Sequence, residues 1–386
     1  MQNRFLGLMK RELSLLRSNS VVLAIFFGAP LAYGLLFGFV YQKAKPENLP
    51  IWVVDEDNSI LSDRIIESLD DQENLRVSKV LTQGVESRNA FTEGGIHALV
   101  WIPEGFEKGI YRQSGPEIVV EVNTANILTA NYASRGIQVV LGTLSAGIEI
   151  QSLLKKGMSA DMAMLQYEPF KVNYERKFNP SANYLSFLWP GMLATILQQV
   201  FLLAMALSFA RETEEGTLGG FVSESGNVFN AIGIKSLFFW LLGGIVLAMM
   251  GGMYAYFQVF IQGTWLQLAV LVAVFIAAVT FLGIFVSILI PSQLKATEIL
   301  MVIATPSFVL SGFTWPLSEM PQWIQAVASC IPLTHFLEGY RNVTVYGAGW
   351  DVLWPSIGGL LAIALVFLSL SILGLRWRLR KVVGNG

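Results

Sequence analysis

Long apolar runs alternate with short polar segments over most of the chain, and one longer polar block lies between the first two runs. The apolar runs lie at 21–41, 185–210, 231–259, 265–290, 298–313 and 351–375. A helix needs ~20 mostly apolar residues to cross a bilayer. The pattern therefore predicts a polytopic α-helical membrane protein with six transmembrane helices, the fifth of them interrupted at Pro306.

An amphipathic segment at 4–17 precedes the first run. Its apolar face carries Phe5, Leu8, Met9, Leu13 and Leu16, and its polar face carries Lys10, Arg11, Ser14 and Arg17. This spacing is typical of a helix that lies in the membrane interface.

The polar block at 42–184 has the pattern of a small α/β domain. Strands are predicted for PIWVVDED, HALVWI and EIVVEV, and helices for 59–69, 85–92 and 104–112. Strands that alternate with helices favour this class of fold. A proline-free helical pattern at 124–156 predicts a long helix that stands as a stalk.

The distribution of charge orients the chain. Basic residues precede the first apolar run and follow the last, whereas the block at 42–184 carries more acidic than basic residues. Lys and Arg are enriched in cytoplasmic segments. The sequence thus predicts cytoplasmic termini and three parts: residues 1–41, an extracytoplasmic domain at 42–184, and a five-helix membrane domain at 185–386.

The segment at 314–349 does not fit a simple span. It contains Pro316, Pro321 and Pro332, and its helical stretches are too short to cross a bilayer. We expect re-entrant or interfacial helices at the outer side. Glu338 and Arg341 lie three residues apart on one of them and are candidates for an ion pair, either structural or part of a gate.

Composition agrees with a membrane protein and argues against several kinds of chemistry. Hydrophobic residues make up 53% of the chain and charged residues only 14%, against about 25% charged in soluble proteins. A net charge of −2 gives no indication of nucleic-acid binding. With one cysteine and two histidines, no disulfide framework and no His- or Cys-built metal site is expected.

No catalytic motif is present. The chain has no GxxxxGK[ST] phosphate loop, no HExxH and no GxSxG. We therefore expect no catalytic residue and no enzyme. The acidic triplet Asp55, Glu56 and Asp57 follows a strand, where such residues most often fix a turn and cap a helix.

A short charged island, FARETEEGTLGGF at 209–221, separates the second and third apolar runs. So many charges cannot lie in hydrocarbon, and we expect a loop that faces water at the cytoplasmic end.

Five stretches together resemble a known family, the membrane subunits of type-2 ABC exporters, in the bacterial subgroup with a large outer α/β domain. They are VVDEDNSILSDRI, VWIPEGFEKGI, FNPSANYLSFLWPGM, RETEEGTLGGF, and SGFTWPLSEMPQW with PLTHFLEGYRNV. The third is similar to the family's lead into its second span, the fourth to its coupling segment, and the fifth to its re-entrant signature. Thr213 and Gly219 depart from the family pattern, which usually has an arginine and an acidic residue there.

The resemblance implies a role for two groups of residues. The coupling segment that contacts an ATPase comprises Arg211, Glu212, Glu214, Glu215, Gly216, Thr217 and Leu218. The re-entrant, or gate, region comprises Ser311, Gly312, Phe313, Pro316, Pro321, Pro332, Glu338 and Arg341. Alanine at Glu212 and Glu214 is expected to uncouple transport and leave the fold intact.

The resemblance also implies partners and a location. It implies ABC ATPase subunits that bind ATP and Mg²⁺, a second permease subunit, identical or not, and the lipid bilayer of the bacterial inner membrane. No cofactor is expected in this chain. A periplasmic adaptor protein is a further expected partner of the outer domain. The implied function is ATP-driven export; the alternatives are a subunit that drives a periplasmic partner mechanically, and a scaffold independent of any ATPase.

Overall fold

The computed structural model of the protein describes residues 2–83, 89–168, 170, 175 and 177–384. It divides into two compact units, residues 45–176 and the remainder of the chain. The limits of the first unit lie inside the 42–184 expected from the sequence.

Two helices open the chain, α1 (Gln2–Ser18) and α2 (Ser20–Val40). Leu8 and Leu16 of α1 are buried in the core of the membrane unit. Gly34 and Gly38 of α2 make a close approach possible: a Cβ at Gly34 would lie 2.7 Å from Met253, and a Cβ at Gly38 would lie 2.2 Å from Phe257. Gly34 and Gly38 lie four residues apart, in a GxxxG spacing that permits close packing of membrane helices.

Residues 45–176 form a four-stranded sheet with helices. The elements are β1 (Leu49–Asp55), α3 (Ile60–Asp70), β2 (Leu75–Leu81), α4 (Ala90–Glu93), β3 (Ala98–Ile102), α5 (Phe106–Arg112), β4 (Val119–Val122), α6 (Ile127–Lys155) and α7 (Ala160–Tyr167). The strand order is β2-β1-β3-β4, with β1 parallel to β2 and β3, and β4 antiparallel to β3. Strand β2 and helix α7 were not predicted, and residues 85–88 of the predicted helix at 85–92 lie outside the described residues.

The core of this unit lies between the sheet and two helices. Ile51 and Val53 of β1 pack with Ile65 of α3 and with Ala133 and Ile137 of α6. The first half of the long α6 is thus held by the sheet.

The remaining residues are almost entirely helical. The elements are α8 (Tyr184–Glu214), α9 (Leu218–Ser225), α10 (Val228–Tyr256), α11 (Trp265–Leu289), α12 (Gln293–Leu310), a 3-10 turn (Leu317–Glu319), α13 (Gln322–Ser329), α14 (Pro332–Thr344) and α15 (Trp350–Gly384). Helix α8 packs against α2, α11 and α12, and α11 packs against α15. Helices α13 and α14 are too short to span, as expected.

Two predictions about helix α12 need correction. Helix α12 begins at Gln293 rather than at residue 298, and it continues through Pro306 to Leu310 without a break. A proline is tolerated in such a helix because neighbouring groups compensate for the lost hydrogen bond. Among the described residues, seven helices are long and apolar enough to cross a membrane, because α6 qualifies as well as the six predicted.

Candidate functional site

The charged island is not a loop over its first half. Residues 211–214 continue α8 for another turn, and the helix ends only at Glu215 and Gly216. Gly216 has a φ of +68°, the left-handed conformation in which glycine ends a helix without strain. Helix α9 then follows almost at once, so the island is a helix end, a tight turn and a second short helix.

Glu212 lies inside the protein, with only 1% of its side chain exposed. Its two carboxylate oxygens accept hydrogen bonds from the two terminal nitrogens of Arg11, each at 2.8 Å. Thr217, just past the turn, donates its hydroxyl to the same carboxylate. The planar guanidinium matches a carboxylate in this two-point geometry, which joins α1 firmly to the end of α8.

Lys235 of α10 completes the cluster from the other side. Its ammonium group contacts Glu12 at 2.9 Å and Glu212 at 3.1 Å, and its side chain is 2% exposed. It also lies 4.5 Å from the centre of the Phe221 ring. Two cations and two anions thus balance in one group that joins α1, α8 and α10 and is buried except at Arg11. We call Arg11, Glu12, Glu212 and Lys235 the four-charge cluster.

The pairing keeps Arg11 ionised. The hydrogen bond to the Glu212 carboxylate raises the pKa of the Arg11 guanidinium above its usual value, against the opposing effect of burial. A buried charge is tolerated only when it is paired in this way.

One part of the sequence-based expectation is therefore wrong. Glu212 does not present its charge to a partner surface, because Arg11, Lys235 and Thr217 occupy its carboxylate within this chain. Alanine at Glu212 would leave buried cations without their counter-charge, so it would not leave the fold intact.

The rest of the α8 end is joined to further helices. Glu214 accepts the backbone N–H of Gln293, the first residue of α12, at 2.9 Å. Thr213, which stands where the related family usually has an arginine, accepts a hydrogen bond from Arg378 of α15 at 3.0 Å. Arg211 pairs with Glu215 at 2.7 Å. The end of α8 is therefore a junction of α1, α10, α12 and α15.

Beside this junction lies an exposed surface, which we call the α8–α9 surface. It consists of Glu214, Glu215, Gly216, Thr217, Gly219, Gly220, Ser223 and Glu224. A Cβ at Gly216, Gly219 or Gly220 would meet no atom within 4 Å, so bare backbone is accessible there. Leu218, also expected in the coupling segment, is buried and anchors α9 to the core instead. A cleft of about 400 Å³ between α1 and α9, lined by Arg4, Arg11 and Glu224 among others, adjoins the surface.

The predicted gate residues lie where α12 ends and α14 passes. Six of them line one cavity of about 290 Å³: Ser311, Gly312, Phe313, Pro316, Glu338 and Arg341. Pro321 and Pro332 do not line this cavity. Pro321 directly precedes α13, and Pro332 is the first residue of α14.

Arg341 does not pair with Glu338. It donates to the backbone carbonyl of Phe313 at 2.8 Å, and its guanidinium lies 4.9 Å from the centre of that ring. Glu338 is exposed. The ion pair expected between Glu338 and Arg341, whether structural or part of a gate, is therefore not formed.

The acidic triplet fixes a turn, as expected. Asp55 accepts the backbone N–H groups of Asp57 and Asn58 and the hydroxyl of Ser62. Glu56 accepts the indole N–H of Trp101. Among the described residues, no group of His, Cys, Asp and Glu has a geometry that would hold a metal ion.

The chain belongs to the ABC-2 family of transporter proteins, because the sequence model of the family described as "ABC-2 family transporter protein" matches residues 21–373. It is similar to "Inner membrane transport permease YhhJ" of Escherichia coli (strain K12), with 25% identity over 344 residues that cover 87% of this chain and 86% of that protein. It is also similar to "Probable multidrug ABC transporter permease YbhR" of the same organism, with 24% identity over 375 residues that cover 94% and 95%.

A third relative, "Probable multidrug ABC transporter permease YbhS", is 29% identical over 208 residues, 52% of this chain and 54% of that protein. These matches and the apolar helices make the chain a multi-pass membrane permease of the ABC transporter class. The resemblance inferred from the sequence is thereby confirmed at the level of the family.

Sequence reasoning missed Lys235. A lysine inside an apolar run of spanning length is costly and therefore points to a partner. The run at 231–259 contained that signal. The two carboxylate partners of Lys235, however, are Glu12 and Glu212, which lie 223 and 23 residues away in the chain.

Proposed function

We propose that this chain is the membrane subunit of an ATP-driven exporter, and that separate ATPase subunits dock on the α8–α9 surface from the cytoplasm. The observation that carries the proposal is the pairing of an accessible surface with a buried, charge-paired junction directly behind it. Glu215 and Glu224 offer exposed carboxylates, Gly219 and Gly220 permit close backbone approach, and the adjoining cleft can admit a protruding side chain. Two relatives are named as probable multidrug ABC transporter permeases, which supports the same class of function.

The four-charge cluster supplies the mechanical link in this proposal. A push on α9 or on the turn at Gly216 reaches Glu212 through Thr217, and Glu212 is tied to α1 and α10. The three helices then move together. Because α8 has 31 residues, which corresponds to ~46 Å of helix, a tilt at one end displaces the other end as well.

The remaining parts of the proposal rest on the family resemblance and on the distribution of charge along the chain. Two permease subunits form the conduit, with six spans in each, both termini in the cytoplasm and residues 45–176 on the outer side. ATP and Mg²⁺ bind to the ATPase subunits, and this chain binds no cofactor. The cavity at Phe313 and Arg341 lies at the outer end and acts as the gate. The outer unit docks a periplasmic adaptor.

Purification from native membranes in a gentle detergent, followed by mass spectrometry of the bound proteins, tests the proposal. The wild-type chain should retain a protein that carries a phosphate loop. Gly219→Trp should lose it, because the indole covers the bare backbone of the α8–α9 surface. Gly147→Trp is the matched control, since a Cβ at Gly147 also meets no atom within 4 Å but lies on α6 in the other unit. Retention by Gly219→Trp, or no such protein with the wild type, would contradict the proposal.

One observation favours a second function, in which the ATPases drive a periplasmic partner without passing substrate across the membrane. Helix α6 has 29 residues, or ~43 Å. Most of its buried residues lie in its first half, where Ala133, Ile137 and Val140 pack against the sheet. Between Val140 and Leu153 no residue of α6 is buried, and this long unburied stretch suits the transmission of movement. Accumulation of exported compound in sealed inverted vesicles distinguishes the two, since a mechanical subunit produces none.

A further inference from the structure

A narrow cavity of about 220 Å³ opens at the end of the bundle where α10 ends and α11 begins. Helices α8, α10, α11 and α14 surround it, and it is separate from the coupling and gate residues discussed above. Representative lining residues are Pro190, Leu197, Leu247, Tyr254, Trp265 and Val272.

The cavity is elongated along the helix axes. The lining residues of α8 run from Pro190 to Leu197 and those of α11 from Trp265 to Val272. Each stretch advances seven residues, or ~10 Å at 1.5 Å per residue. On α10 the lining covers the same length, from Leu247 to Tyr254. The cavity is thus a slot parallel to the helices, and lipid chains in a bilayer run in that direction.

The chemistry of the slot changes along its length. The deep end is formed by Leu197, Leu247 and Val272, which are aliphatic. At the other end the hydroxyl groups of Tyr254 and Tyr340 contact each other at 2.9 Å. A bound water needs two to four polar partners, and the deep end offers none. The slot therefore suits hydrocarbon, with a polar group tolerated only at the Trp265 end.

The size and the access route favour a lipid chain over a compact molecule. Sites for drug-sized ligands usually occupy ~300–1,000 Å³, which is more than this slot provides. Trp265 is 71% exposed at the mouth, and Gly251 and Ala269 beside it are exposed as well. These residues lie on helices long and apolar enough to span the membrane, so a chain enters from the bilayer without crossing protein.

We propose that the slot binds the part of one phospholipid acyl chain nearest the ester, with the ester at Trp265 and this part of the chain reaching Leu197 and Leu247; the rest of the chain leaves sideways past the exposed Gly251 and Ala269 into the bilayer. The inference depends on the membrane location of the chain and not on its proposed role in export.

The test uses the full chain in nanodiscs that contain a phosphatidylethanolamine with a diazirine in the half of one acyl chain nearest the ester. After illumination, mass spectrometry locates the labelled residues. Gly251→Leu fills the slot: Gly251 lines it, and a Cβ there meets no atom within 4 Å. Gly252→Leu is the matched control, because the next residue of the same helix is equally open but does not line the slot. Ala269→Leu fills the slot from α11 if the first variant does not fold.

We expect wild type and Gly252→Leu to be labelled on the slot-facing residues of α8, α10 and α11. Gly251→Leu and Ala269→Leu should lose this labelling by about ten-fold, which corresponds to ~1.4 kcal/mol of binding free energy. Equal labelling of all variants would show ordinary contact with surrounding lipid and would overturn the proposal. So would no labelling of wild-type slot residues, the result expected if a second copy of the chain covers the mouth.

Discussion

Arg11 and Glu212, 201 residues apart in the chain, form an ion pair with two N–O distances of 2.8 Å, in which Glu212 is buried and Arg11 is partly buried. The pair fastens the amphipathic N-terminal helix to the last turn of α8. Together with Lys235, the pair connects α1, α8 and α10 behind the α8–α9 surface. The proposal that an ATPase moves this chain through α8 depends on this connection.

Replacing Glu212 with Gln should lower stability strongly. Breaking a buried ion pair by removing one partner costs about 3–5 kcal/mol, because the remaining charge stays buried. Glu215→Gln is the control: its pair with Arg211 is 43% exposed on the glutamate side, and such pairs contribute about 0–1 kcal/mol. We expect the thermal midpoint in detergent to fall clearly for Glu212→Gln and hardly for Glu215→Gln. Equal midpoints would refute the structural role of the cluster.

Removing a whole charge pair from the cluster should cost less than removing half of it. Lys235→Met leaves Glu12 and Glu212 with Arg11 alone, so one negative charge is unbalanced. In Lys235→Met with Glu12→Gln the remaining Arg11 and Glu212 balance again, and such neutral replacements are often nearly tolerated. The thermal midpoint of the double variant should lie above that of Lys235→Met. Additive losses would mean that the four charges do not act as one group.

A larger side chain at Gly38 should disturb the packing of α2. A Cβ there would lie 2.2 Å from the Phe257 ring, which Phe39 and Trp189 also contact and which therefore has little freedom to move. Overpacking of this kind costs about 1–3 kcal/mol. Gly28→Val, in the same helix with no neighbour within 4 Å, serves as control. The two variants should differ in thermal midpoint, and a Gly38→Val variant as stable as Gly28→Val would show that α2 does not pack as described.

At the other end of the bundle, Arg341→Met should loosen the chain after α12. The variant loses the hydrogen bond to the Phe313 carbonyl, and Phe313 is buried, so an acceptor is left unsatisfied at a cost of about 1–3 kcal/mol. Hydrogen exchange of residues 311–317 should accelerate. Glu338→Gln, three residues away and exposed, should leave the exchange unchanged. Similar exchange of residues 311–317 in both variants would show that Arg341 does not hold this part of the proposed gate.

Much of the fold was predictable because it rests on local patterns. The amphipathic spacing from Phe5 to Leu16 and the apolar runs each indicated a helix that the structure contains. Strand β2 was missed because only Leu75 and Leu81 of its residues are buried, which leaves no clear alternation. The break predicted at Pro306 did not occur, and α12 continues through this residue to Leu310.

The candidate site was predictable only in part. The charges at 211–215 were recognised as a segment, but their roles depend on residues far along the chain. Glu212 is buried because Arg11 and Lys235 reach it, and a single sequence does not reveal such pairings. Glu215 and the turn at Gly216 are exposed as expected.

Hydrogen exchange of the permease with and without its co-purified ATPase tests the central claim most directly. With the ATPase held closed by a non-hydrolysable ATP analogue, the account predicts protection of residues 214–224 and of the α1 residues that line the adjoining cleft. The peptides around Phe313 and Arg341 should show no direct protection. If protection instead appeared at Phe313 and Arg341, and the exchange of residues 214–224 was unchanged, the α8–α9 surface would not be the coupling site.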